Sequence, residues 1–125
     1  MQYSLLLNNE EPKDGDISKE DMASFQAAFD AYAKSLETAG VLVSADILQP
    51  SAVSTTVTLR GGSLQVQDGP FADTKEKLAG TFVIDVPDLD AAIAWAEKCP
   101  GAQYGVIEIR PSAIVFRDGR WNSLA

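Results

Sequence analysis

Gly80-Thr81-Phe82-Val83-Ile84-Asp85-Val86-Pro87-Asp88-Leu89-Asp90-Ala91-Ala92-Ile93-Ala94-Trp95-Ala96 changes its hydrophobic period halfway along. As far as Val86 the residues alternate: Phe82, Ile84 and Val86 fall on one side, and Thr81, Val83 and Asp85 on the other. That is the two-residue period of a strand with one buried face. Pro87-Asp88 then opens a helix, and Leu89, Ala92, Ile93 and Ala96 recur at three- and four-residue spacing along one face. Pro100-Gly101 ends that helix, and Tyr104 to Arg110 reads as another strand, with Ile107 and Ile109 on the helix side. Strand, helix and strand in this order make one half of an α+β domain.

The residues before it repeat the plan. Gln2 to Asn8 reads as a strand centred on Ser4-Leu5-Leu6-Leu7, and a polar, turn-forming loop runs on from Asn8 to Gly15. Ser18 is placed as an N-cap with Asp21 three residues on, and Met22, Phe25, Phe29, Tyr32 and Leu36 follow at helical spacing. Gly40 suits a left-handed helix end, and Val41 to Leu48 returns to strand-forming residues. Val53 to Arg60 and Ser63 to Gln67 flank Gly61-Gly62, a dipeptide that tolerates the positive φ of a two-residue hairpin turn. The order is strand-helix-strand, hairpin, strand-helix-strand. Two helices cover one face of an antiparallel sheet, so the other face is open or meets a partner. On the last strand Val106, Glu108 and Arg110 share that open face.

Composition narrows the function. A chain of 125 residues is one domain's length and buries a core without metal or disulfide staples. With 18 acidic against 10 basic residues the formal charge is −8, which repels phosphate backbones and anionic lipids, so neither nucleic acid nor membrane is an expected partner. The expected location is the cytoplasm, since no apolar stretch approaches a membrane span and no basic leader precedes Tyr3-Leu7. Cys99 is the single cysteine and reads as a structural thiol. There is no histidine, so a transition-metal site of ordinary composition cannot be assembled, and imidazole acid-base chemistry is absent. Gly61-Gly62 lies between strands rather than leading from a strand into a helix, so no phosphate loop or cofactor is expected.

Asp68-Gly69-Pro70-Phe71-Ala72-Asp73-Thr74-Lys75-Glu76 resembles the signature of the DGPF branch of the YCII-related family. The resemblance continues through Gly40-Val41-Leu42, Leu48-Gln49-Pro50, Ile84 to Asp90, Tyr104-Gly105 and Glu108-Ile109-Arg110-Pro111. It implies a domain over residues 1–111 with a ferredoxin-like fold: an antiparallel sheet, two helices on one face and an inserted β-hairpin. It also implies that two copies join their open sheet faces as a dimeric α+β barrel with ligand clefts. Residues 112–125 lie beyond the recognised pattern and are expected to pack on the same domain or on the partner copy. Some relatives carry a helix histidine proposed to work with an aspartate; this chain has none, so that mechanism is not carried over.

Six residues are candidates for a site. Asp68 and Phe71 belong to a rigid turn that either simply reverses the chain or aims Phe71 and Lys75 at a ligand. Lys75 is a cation for an anion, or one member of a solvated charge cluster. Glu108 and Arg110 stand two apart on one strand face with Asp85 nearby. Arg110 could grip a carboxylate bidentately, and Glu108 or Asp85 could serve as general base; the competing reading is an ion-pair network sealing a dimer. Two functions are weighed: a homodimeric small-molecule-binding domain, with or without catalysis, for a polar or anionic metabolite; or, as the resemblance to DGPF-type domains implies, a non-catalytic protein-interaction module associated with bacterial transcription-related sigma factors.

Overall fold

The structure is a computed structural model, which describes residues 1–13 and 15–123. Asp14 of the expected polar loop and residues 124 and 125 of the C-terminal extension lie outside the described residues. The elements in chain order are β1 (Gln2–Asn9), α1 (Lys19–Thr38), β2 (Leu42–Ile47), β3 (Thr55–Arg60), β4 (Ser63–Asp68), β5 (Lys77–Asp85), α2 (Leu89–Lys98), β6 (Val106–Pro111), β7 (Ile114–Arg117) and β8 (Arg120–Ser123). Single 3₁₀ turns cover Ser51–Val53 and Pro100–Gln103. The strands of the main sheet run β2-β5-β1-β6, all neighbours antiparallel, and the fold is α+β and ferredoxin-like.

Local chemistry sets the element ends. Ser18 Oγ accepts the Asp21 amide at 3.1 Å, and Asp88 Oδ1 accepts the Ala91 amide at 2.9 Å, so each helix starts with one orphan donor satisfied. Gly40, at φ 73°, lets the chain leave α1 in the left-handed region that a Cβ would disfavour.

The core lies between helices and sheet, as the alternation predicts. Phe82, Ile84 and Val86 of the β5 region are buried with Tyr3, Leu5 and Leu7 of β1. From α1, Tyr32 sets its ring edge-on to Phe82 at 5.1 Å and donates its hydroxyl to the Trp95 carbonyl at 2.7 Å, tying the two helices together. Burial pushes its phenol pKa far up. Cys99 is enclosed beside the Pro100–Gln103 turn, and burial raises its thiol pKa too, which suits a packing role.

Three sequence expectations need adjustment. α2 buries Ala92 and Ala96 and leans on Ala91 and Trp95, leaving Leu89 and Ile93 exposed. The small alanines let the helix approach the sheet, so the contact face is rotated from the one that the larger side chains suggested. Val53 belongs to a 3₁₀ turn rather than to β3, and Tyr104 precedes β6. Phe25 is 37% exposed and Met22 45%, so the N-terminal half of the α1 stripe is outside the core.

Candidate functional site

The register on β1 places the open-face residues in rows. Asp46, Thr81, Leu6 and Glu108 form one row across the sheet, and Val83, Ser4 and Arg110 the next. Gln2 faces Asp85 in the row beyond. Glu108 and Arg110 are therefore neighbours, and their side chains are joined by a short ion pair. Both ends are solvent-exposed, so the pair contributes about 0 to 1 kcal/mol. Asp85 is not brought to them: β1 intervenes, and its carboxylate accepts the Met1 amino group at 3.2 Å.

The turn after β4 is closed by the backbone. Gly69, at φ 99°, donates its amide to the Ser54 carbonyl at 2.8 Å, and Thr56 Oγ1 donates to the Gly69 carbonyl at 2.7 Å. Asp68 ends β4 at the base of this turn, and Phe71 stands 87% exposed. Lys75 pairs with Glu10 at 3.2 Å in solvent. It shares a shallow hollow with Thr74, Glu76, Asn8, Val106 and Glu108, so Lys75 and Glu108 come together while Asp68, Phe71 and Asp85 line other surfaces. Asp73 accepts Lys77 Nζ at 2.8 Å, and that contact holds its carboxyl below the ordinary range.

A better-formed cavity lies on the other side of the sheet. It is a cleft of about 280 Å³ where α1 runs past the end of β1. Leu7, Met22, Phe29, Ile47 and Leu48 make its apolar wall, and Pro12 and Pro50 stiffen the lips. Polar groups come from Asn8, Asn9, Gln49 and Tyr104. Phe25 holds the Tyr104 ring edge-on at 5.5 Å, and burial raises the Tyr104 phenol pKa, so a proton stays on it to donate.

Among the described residues, Glu11 is the one charged member of the wall, and it is occupied. Its carboxylate accepts the Ser51 amide at 2.6 Å and, in a shorter contact, the Ser51 hydroxyl. These bonds lower its pKa and clasp the loop after β1 to the 3₁₀ turn after β2. Sequence reading passed over the cleft. Its available signal was the α1 stripe, in which Met22 and Phe25 continue the apolar face beyond the part the sheet can cover. Among the described residues, no group of three His, Cys, Asp or Glu side chains is placed to hold a metal, and no helix is long and apolar enough to cross a membrane.

The chain is 34% identical over 116 residues to an uncharacterised protein of Rhizobium meliloti (strain 1021), an alignment covering 91% of this chain and 94% of the relative. The family model of the YCII-related domain matches residues 1–114, which takes in the whole main sheet, both helices and the β3–β4 hairpin. On these two matches, the chain belongs to the YCII-related family.

Proposed function

We propose that this chain is a small-molecule-binding domain whose ligand occupies the cleft beside α1, and that the Asp68 to Phe71 signature places it in the DGPF branch of its family. The observation that carries the reading is the pairing of an apolar wall with a few convergent polar groups, the ordinary make-up of a ligand site. The volume is at the small end for such sites, which run upward from about 300 Å³. Among the described residues no free cation lines the wall, Glu11 is already bonded to Ser51, and the chain carries −8, so the ligand is uncharged. Its apolar body lies on Phe29 and Leu48, and its hydrogen-bonding head meets Tyr104, Asn8 or Asn9.

A second reading, an anionic ligand on Arg110 of the open face, has the exposure of the guanidinium in its favour. Titration with p-cresol and with p-toluate, followed by NMR, separates the two. The expected result is saturable p-cresol shifts around Met22 and Tyr104, abolished by Met22→Trp, which fills the cleft. Shifts from p-toluate around Arg110, with none from p-cresol in the cleft, would overturn the assignment.

A further inference from the structure

The cleft beside α1 brings a hydrogen-bond donor and a hydrogen-bond acceptor together at one end. Tyr104 is the donor. Its ring is held edge-on by Phe25, burial keeps the phenol protonated, and among the described residues no acceptor takes its hydroxyl. Asn9 is the acceptor. Its amide nitrogen donates to the Glu10 carbonyl at 2.9 Å, and among the described residues Oδ1 is the end of the amide that no protein group engages. The two residues are neighbours because β6 starts against the end of β1. A Cβ on Gly105, the residue after Tyr104, would lie 2.9 Å from Asn9 Cβ, so no side chain fits between them.

The other polar groups of the wall are engaged or set back. The Glu11 carboxylate already accepts from the Ser51 amide and hydroxyl. Asn8 donates its amide nitrogen to the Leu6 carbonyl at 3.2 Å and is shared with the open-face hollow of Lys75 and Glu108. Gln49 stands on the exposed lip.

We infer that the head group of the ligand is a neutral carboxamide, or a lactam or ureide with the same N–H beside C=O, its carbonyl oxygen taking the Tyr104 hydroxyl and its N–H donating to Asn9 Oδ1. The inference rests on the cleft being a ligand site and adds the chemistry of what it selects. A ketone or ester satisfies Tyr104 and leaves the Asn9 oxygen without a donor. A carboxylate sets a second acceptor against that oxygen and meets no free cation in the wall. An ammonium group finds Glu11 already taken up by Ser51. An alcohol or phenol carries donor and acceptor on a single atom, whereas the amide offers them on two, one toward each residue. Desolvation sharpens the choice: an amide leaves water at greater cost than a ketone of the same outline, so an apolar wall alone would prefer the ketone. Preference for the amide therefore requires both Tyr104 and Asn9 to bond it.

NMR titration with p-toluamide and with p-methylacetophenone tests this, because the two differ only in an NH2 group in place of a methyl; p-cresol reports separately whether the cleft takes a ligand. In the wild type p-toluamide is expected to bind about 5-fold more tightly than the ketone or better. Asn9→Leu should abolish that preference and leave ketone affinity unchanged, whereas Tyr104→Phe should weaken both. A ketone that binds as tightly as the amide in the wild type, or an amide preference that survives Asn9→Leu, would overturn the carboxamide assignment, and p-cresol shifts around Met22 would then leave the cleft itself standing. Absence of shifts there from all three compounds would remove the cleft and this inference together. Circular dichroism checks the fold, and Asn9→Ala replaces Asn9→Leu should the latter fail to fold.

Discussion

Glu11 shows how one side chain can set the shape of a site without touching a reactive atom. Its two bonds to Ser51 exist for the carboxylate, so its folded pKa is depressed below the ordinary value of 4.5. A depressed acid stabilises the fold above its unfolded pKa, and that contribution falls away as pH drops through 4.5 toward the lowered value. Glu11→Gln keeps an acceptor but loses the charge, and is expected to cost about 1 kcal/mol at neutral pH. Denaturant titrations of the two proteins at neutral pH and in acid check this: the difference should shrink in acid, and a gap that persists there would mean that the carboxylate's charge is irrelevant. Residue-scale reasoning from the sequence could not have found this clasp, because Glu11 and Ser51 are brought together by the fold. The Glu108–Arg110 pair was legible, since both members sit on one strand; the missing link to Asp85 was not, because it depends on β1 lying between them.

Among the elements, periodicity identified both helices and all four strands of the main sheet, and it sorted the faces of β5 and β6 correctly. It failed where size and reach matter. Alternation states which way Met22 points but not that the sheet ends before reaching it, and the alanine face of α2 is invisible to a search for bulky apolar residues. The close approach of the Tyr104 region to β1 is another such feature. A Cβ on Gly105 would lie 2.3 Å from the Asn8 carbonyl oxygen and 2.9 Å from Asn9 Cβ, so the start of β6 fits only against a bare backbone. One on Gly101 would meet Ile107 and Leu7 side chains at an ordinary 3.6 to 3.7 Å. Gly105→Ala is expected to cost about 1 to 3 kcal/mol as the backbone shifts, and Gly101→Ala much less. Thermal unfolding of both variants decides it, with equal midpoints as the contrary result.

At the scale of the whole molecule, the formal charge of −8 sets how strongly two copies repel each other. Raising ionic strength from about 0.01 to 0.1 M shortens the screening length from about 30 to 10 Å, which weakens the repulsion between two chains of charge −8. Self-association is therefore expected to strengthen with added salt, as read by light scattering across a sodium chloride series. Weakening would show that contacts between opposite charges outweigh this repulsion.

The strand order also bears on how the chain is made. β1, which is made before the other described strands, is a central strand, and both of its neighbours, β5 and β6, come more than 65 residues later in the chain. At about 5 to 20 residues per second, the Tyr3-Leu5-Leu7 face waits several seconds before Phe82 and Ile84 exist to pair beside it. Until then only α1 can shelter it, and the same apolar stripe that later walls the cleft is what the nascent strand has available to lean on.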